Sequence, residues 1–486
     1  MGMNIKLILK TLSKILLIQG AYMLMSLIVA LYYNESIVPF LIPILGMVAI
    51  ALPFFGMKVR NTIFSARDGL VSVAFIWITM SFFGAIPFFI NGGFGTFIDC
   101  IFESVSGFTT TGASILREIE SLPKSILFWR SSTHWLGGMG ILVLALALFP
   151  SIGERAQNLM AAESPGPTSE KLTSRISTSS KILYLIYAGI TVLQILCLYL
   201  ADMPLYDSIV NSLATAGTGG FSVLNNSIAG YNNLAAEIII TIFTVLYGVN
   251  FSVFFLLLTG QIKKVFKNTE FKFYISAVAV FITLITVNVY SIYQSIGTAL
   301  RHASFNLVTV MSTTGFSSDD FNLWPTFSKL ILVLAMVIGA CAGSTGGGIK
   351  CSRVVILCKG IAREIRRMIS PKRVSTLRMD GKALPESTVT NTFVFTGLYA
   401  AITFGAGLII ALDGFDFTTI VTSVIACISN IGPALGDISG PTGNYADFSQ
   451  LSKIVLSICM LVGRLEIFPM LVLILPATWK GASLKK

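Results

Sequence analysis

Ser312-Thr313-Thr314-Gly315-Phe316-Ser317 is a short polar turn between apolar runs of membrane length, and it has three relatives in the chain. Thr110-Thr111-Gly112-Ala113-Ser114 lies upstream, Thr218-Gly219-Gly220-Phe221-Ser222 lies between them, and Asn430-Ile431-Gly432-Pro433-Ala434 closes the series. Aligned on Gly112, Gly219, Gly315 and Gly432, the turns are separated by 107, 96 and 117 residues. Backbone that is neither helix nor closed barrel is tolerated at membrane depth only where protein buries it or a water-filled path runs beside it. Four such turns point to one pore.

The composition agrees. Of 486 residues, 54% are hydrophobic and 12% charged, and mean hydropathy is +0.80, whereas a soluble domain is about 25% charged. This is an all-α polytopic membrane protein whose apolar segments leave no stretch for a soluble domain. Net charge is +11, from 34 Lys and Arg against 23 Asp and Glu. Its distribution points to membrane lipid and to orientation, not to nucleic acid. Seven scattered cysteines form no CxxC pair, and two histidines, His134 and His302, are too few for a His-based metal site or a serine-type triad. The chain reads as a non-enzyme.

The organisation is repetitive. An N-terminal helix pair occupies residues 1–68, with apolar runs Ile15 to Tyr32 and Ile37 to Phe55. The first run follows Lys6, Lys10 and Lys14 as a signal peptide would, but it is long and no small-residue cleavage site follows. Four units of helix, half-helix, glycine turn and helix then fill 69–180, 181–270, 271–382 and 383–486. Their half-helices are Phe97 to Phe108, Leu205 to Ala216, Ile296 to Met311 and Phe417 to Ser429. The returning helices are Ile126 to Phe149, Ile238 to Leu258, a broken one from near Leu330, and Ile454 to Leu475. Ten spanning helices and a pseudo-fourfold axis through the turns are expected.

Loop charges set the orientation, because Lys and Arg gather on the cytoplasmic side. The N-terminus, the 58–67 loop, Lys263 to Lys272, Lys350 to Lys382 and Lys480 to Lys486 fall together. Both termini are thus expected in the cytoplasm. The opposite loops carry Glu35, Asp202, Asp207, Asp319, Asp320, Asp413, Asp416, Asp437 and Asp447. An acidic outer mouth would concentrate cations ahead of a narrow filter.

The turns have the chemistry of a filter. Rings of backbone carbonyls replace the hydration oxygens of a cation without a fixed charge, and glycine permits the positive dihedrals that aim them. No Asp or Glu lies within the turns, which argues against a carboxylate-ring filter. For any single turn, close helix packing through small residues is the plainer reading; four in register, each after a half-helix on one side, favour the filter. The expected filter residues are Thr110-Thr111-Gly112, Gly217-Thr218-Gly219, Thr313-Thr314-Gly315 and Asn430-Ile431-Gly432.

With these turns, Trp135-Leu136-Gly137-Gly138-Met139-Gly140-Ile141, Gly343-Ser344-Thr345-Gly346-Gly347-Gly348-Ile349-Lys350 and Gly463-Arg464-Leu465-Glu466, the chain resembles the Trk/Ktr/HKT superfamily of potassium transporters, most of all its TrkH branch, over nearly its whole length. The resemblance implies potassium uptake across the bacterial cytoplasmic membrane through one pore per chain, with no covalently bound cofactor. Glycine in all four turns resembles the potassium-selective branch. It further implies a homodimer on a cytosolic regulatory subunit of the TrkA type, so that ATP, ADP or NAD would act only through that partner. Candidate docking segments are 151–181 and 350–382, including the basic run Arg363, Arg366, Arg367, Lys372 and Arg373.

The stretch Gly339 to Lys350 nearly matches a phosphate-binding loop, but Ile349 stands where the lysine belongs, so nucleotide binding is rejected. A glycine-rich break in a pore-lining helix reads either as a kink filled by neighbours or, as the resemblance implies, as an intramembrane gate under the filter. Its residues would be Gly343, Ser344, Thr345, Gly346, Gly347, Gly348 and Lys350. Arg464 is costly at membrane depth. It pairs with Glu466 or another carboxylate as packing, or, as the resemblance implies, it stands beside the pore as a barrier to potassium. Glu103 braces the filter or is a solvated mouth residue, and Trp135 to Ile141 reads as close helix packing. The competing function is a sodium- or proton-coupled transporter of a small solute, which also uses broken helices but needs the intramembrane carboxylates that are scarce here. A sensor with a vestigial pore would carry no flux.

Overall fold

The computed structural model describes residues 3–59, 65–140, 176–370 and 375–480. Most of the 151–181 segment, the end of the 126–149 run with Ile141, and Lys372, Arg373, Lys485 and Lys486 lie outside them. Helices α1 (Ile5–Tyr32) and α2 (Val38–Phe55) pack as a pair, and α1 also lies against α3 (Ala66–Asn91) and α5 (Lys124–Gly138) of the first unit. Between the last two sits the half-helix α4 (Phe97–Phe108).

The second unit is α6 (Ile176–Leu200), half-helix α7 (Leu205–Gly217), and α8 (Leu234–Tyr247) with α9 (Phe251–Leu258). After the short α10 (Ile262–Val265), the third unit runs through α11 (Thr269–Tyr293), half-helix α12 (Ile296–Met311), α13 (Thr326–Ile338) and α14 (Cys351–Ile369). A two-stranded hairpin, β1 (Arg378–Met379) antiparallel to β2 (Lys382–Ala383), precedes the fourth unit. That unit is α15 (Glu386–Ile410), half-helix α16 (Phe417–Ile428), α17 (Gln450–Arg464) and α18 (Phe468–Ile474), followed by α19 (Pro476–Trp479).

Half-helices begin where the sequence stops them from extending backwards. Thr96 and Asp99 form a reciprocal capping box on α4, Ser295 caps α12 and Asp416 caps α16, each satisfying amide groups that a helix start leaves open. Pro204 holds the same position before α7.

Among the described residues, six helices are long and apolar enough to cross a membrane, or seven if the bent pair α8 and α9 counts as one. Of the returning helices, only that of unit three was expected to be broken, yet two others are interrupted as well. The returning helix of unit two bends by 93° at Gly248-Val249-Asn250, and that of unit four breaks after Arg464, where Glu466 and Ile467 take positive φ. Apolar runs hide such breaks because hydropathy is blind to backbone geometry. Exposed Leu185, Leu200, Val287, Phe404 and Leu408 cover the outside, whereas the threonines and the asparagine of the turns are buried. This polarity gradient, apolar outside and polar within, suits a protein dissolved in lipid around a polar path.

Candidate ion pathway

Each half-helix ends in the same hydrogen-bonded turn. The amides of Thr111, Gly219, Thr314 and Ile431 donate to the carbonyls of Ser106, Ala214, Thr309 and Ala426, five residues back in every case, at 2.7–2.9 Å. The preceding residues Thr110, Thr218, Thr313 and Asn430 have φ of 54–63°. One residue further on, Gly112, Gly220, Gly315 and Gly432 have φ of 75–95°, a region that side chains other than glycine rarely adopt.

This geometry corrects the register of the second turn. Its matching glycine is Gly220, and Gly219 takes the position of Thr111, Thr314 and Ile431; Gly217 belongs to the end of α7. Three glycines within four residues left spacing unable to choose. The signal was Gly220-Phe221-Ser222 beside Gly315-Phe316-Ser317.

The turns touch in a closed cycle. A side chain at Gly112 would strike the carbonyl of Gly219, one at Gly220 that of Thr314, one at Gly315 that of Ile431, and one at Gly432 that of Thr111. Among the described residues no hydrogen bond reaches these four carbonyl oxygens. All four glycines line a cavity of about 80 Å³, together with residues that follow the turns such as Ser114, Ser222, Pro433 and Tyr445.

A buried ion pair supports the first two turns. Glu103 and Arg130 are 0% and 1% exposed and lie 2.8 Å apart. Glu103 accepts from the Ile115 amide at 2.9 Å and the Ser114 hydroxyl at 3.0 Å, while Arg130 donates to the Ser222 carbonyl at 3.3 Å. Glu103 is therefore a brace and not a solvated residue. Arg130, on α5, was not singled out from sequence, and His134, on the same helix, was weighed there only as a metal or triad residue. His134 donates from Nδ1 to the Gly107 carbonyl at 2.8 Å and accepts at Nε2 from the Phe221 amide at 3.3 Å. The glycines beside it pack closely, Gly137 on Phe108 and Gly138 on Gly217, as the packing reading of this stretch expects.

The loop between α13 and α14 lies against the C-terminal ends of half-helices α12 and α16. Its Gly347 amide donates to Thr313 Oγ1 at 2.6 Å and its Gly348 amide to the Ser429 carbonyl at 3.0 Å. Gly346 is pressed on the Ser312 carbonyl. The Gly343 carbonyl accepts from the Phe251 amide at 3.0 Å, and the Cys341 amide donates to Gly248 at 3.0 Å, so the break of unit two holds the loop of unit three. Lys350, 4% exposed, folds back on the Gly346 carbonyl.

Arg464 joins this cluster without Glu466. Its guanidinium donates to Thr345 at 2.8 Å and to the carbonyls of Gly137 and Gly138, whereas Glu466 pairs with Arg353. Of the two readings for Arg464, the pairing with Glu466 does not form, and the guanidinium meets three carbonyls from two other units. The residues expected from sequence to form a filter and a gate come together here, with Gly217 alone set back by one position.

The family model described as TrkH, cation transport protein, matches residues 43–480. The chain is 37% identical over 420 residues to the Trk system potassium uptake protein TrkH of Salmonella typhimurium, covering 85% of this chain and 86% of that one. It is 33% identical over 485 residues to the TrkH of Halomonas elongata, covering 98% and 100%. The crystal structure of the potassium transporter TrkH from Vibrio parahaemolyticus superposes with a TM-score of 0.88 at 31% identity, over 98% of this chain and 100% of that one. Matching along both its sequence and its backbone, this chain belongs to the TrkH family of cation transport proteins.

Proposed function

We propose that this chain takes up potassium through a single pore at the centre of the four turns. The observation that carries the reading is the set of four equivalent, unbonded carbonyl oxygens of Thr111, Gly219, Thr314 and Ile431. A cation that enters sheds part of its water, and carbonyl dipoles take the place of those oxygens. The half-helices end at the same ring, so the negative ends of their dipoles add to its attraction for cations. The filter residues in this reading are Thr110 to Gly112, Thr218 to Gly220, Thr313 to Gly315 and Asn430 to Gly432. The relatives named above are potassium uptake proteins of the Trk system, which supports potassium as the cargo.

The loop 339–350 is the gate. It lies against the C-terminal ends of half-helices α12 and α16, and Arg464 sets a fixed positive charge beside it. Loop charges orient the basic face toward the cytoplasm of a bacterial inner membrane, so potassium meets the filter before the gate. In this reading the chain works as a homodimer under a cytosolic nucleotide-binding partner.

Rubidium uptake in cells lacking their own potassium uptake systems tests the proposal, with the parent and Gly315→Ser compared under sodium competition and the cytosolic partner supplied. Uptake by the parent that loses selectivity in the variant supports a filter at these turns. A parent that inserts correctly yet takes up no rubidium overturns it.

A further inference from the structure

The gate reading leaves open what keeps the loop in place at its ends. Its neck is closed by backbone bonds from Ile349, Lys350 and Cys351 to Val337, Ile338 and Ala340 at 2.9–3.1 Å, but these join the neck only to itself. On one side the Cys341 amide also bonds to Gly248, but the group that takes up donors from both sides of the neck is Glu270, in the first turn of α11 and 5% exposed. One oxygen of its carboxylate accepts from the Ala342 amide at 2.7 Å and from the Ser352 amide at 2.9 Å. These donors stand ten residues apart, one on each side of the neck. Ser352 is the second residue of α14, whose amide has no acceptor within its own helix.

The anchor is itself fixed. Asn268 caps α11 through the Phe271 amide at 2.8 Å, and the Thr269 amide donates to Asp380 of the hairpin turn at 2.6 Å. Glu270 is thus held at a defined height, on a helix that contributes no residue to the turns.

Resting on the gate reading, we propose that Glu270 is the positioning residue that holds the loop in its blocking place, by tying both ends of the neck to α11. Removing the acceptor leaves two buried amides without a partner, a state that costs as much with the loop in place as the bonds had contributed. The closed arrangement then loses its advantage and the loop leaves the path.

The test is rubidium flux into liposomes carrying the purified full chain, expressed per monodisperse protein, with sodium flux measured alongside. Glu270→Leu removes the acceptor and is expected to raise flux roughly tenfold or more, whereas Glu270→Gln keeps an acceptor oxygen and stays near the parent. Ser352→Pro deletes one donor at a helical position where proline is tolerated, and it raises flux even if the leucine variant fails to fold. The rubidium-to-sodium ratio stays at the parental value throughout, because the turns are untouched. Deleting residues 344–347 separates this proposal from its foundation. If that deletion raises flux while Glu270→Leu and Ser352→Pro leave it at the parental level, Glu270 only stabilises the fold and the proposal is overturned. If the deletion itself changes nothing, the gate reading fails and the proposal with it.

Discussion

The guanidinium of Arg464, at the end of α17, donates to the carbonyl oxygen of Thr345 inside the loop of the preceding unit at 2.8 Å. The same side chain reaches the carbonyls of Gly137 and Gly138 at the end of α5. One cation thereby joins units one, three and four under the turns.

Arg464→Ala breaks all three bonds and removes the charge beside the path. Hydrogen bonds to charged groups contribute about 1.5–3 kcal/mol each, so the loop loses more than the loss of one contact would suggest, and potassium flux per folded protein rises roughly tenfold or more. Arg464→Lys keeps the charge but cannot span carbonyls on opposite sides as a planar fork does; its flux falls between the two. Unchanged flux in the alanine variant, with a lowered melting temperature, would assign Arg464 to packing alone.

Gly219 and Gly220 are adjacent, yet they reject side chains for different reasons. A Cβ at Gly220 meets the Thr314 carbonyl across the ring at a φ of +75°, whereas one at Gly219 meets the imidazole of His134 behind the turn. Gly220→Ala is expected to abolish selective rubidium uptake whatever else is changed, since neither the neighbouring backbone nor the dihedral can yield. Gly219→Ala is harmful alone but is partly rescued by His134→Ser, which removes the obstructing ring. Competition uptake with sodium on the two single variants and the double variant checks the order.

The sequence made the helices and half-helices legible because apolar length and capping residues are local. Phe97–Phe108 and Ile296–Met311 form with the ends that their patterns imply. What it concealed is relational. Gly217, Gly219 and Gly220 differ only by which amide bonds five residues back, and Glu466, two residues away, could be offered only as one of the alternatives for Arg464. In a helix, residues two apart do not face each other, and the break after Arg464 sends Glu466 to Arg353 instead. The breaks at Gly248-Val249-Asn250 and after Arg464 follow from contacts with the third unit's loop and with other units, which no stretch of unit two or four contains.

Glu103 and Arg130 are both fully buried, and together they tie down the segments that follow the first and second turns. Removing one partner strands the other charge, which costs about 3–5 kcal/mol. Glu103→Gln or Arg130→Met alone should therefore lower the melting temperature in detergent sharply and admit sodium. The paired replacement Glu103→Leu with Arg130→Met strands no charge, so it should recover a large part of the stability but not the selectivity, because the Ile115 amide still lacks its acceptor. A thermal double-mutant cycle with parallel flux ratios measures both.

Thr313 connects turn and loop through its side chain, since its hydroxyl accepts the Gly347 amide at 2.6 Å while its backbone holds a φ of +63°. Thr313→Val preserves shape and branching but leaves that buried amide without a partner, at a cost of about 1–3 kcal/mol to the loop-in-place state. Thr313→Ser keeps the acceptor. The valine variant should thus raise potassium flux about tenfold at an unchanged rubidium-to-sodium ratio, and the serine variant should stay near the parent. Thr110 supplies the control. It occupies the same place in the first turn, with φ of +56°, and among the described residues its buried hydroxyl has no hydrogen-bond partner. Thr110→Val therefore releases nothing from the loop, and it should leave gating flux where the parent has it. Equal increases from both valine variants would mean that the effect arises in the ring and not in the contact between Thr313 and Gly347.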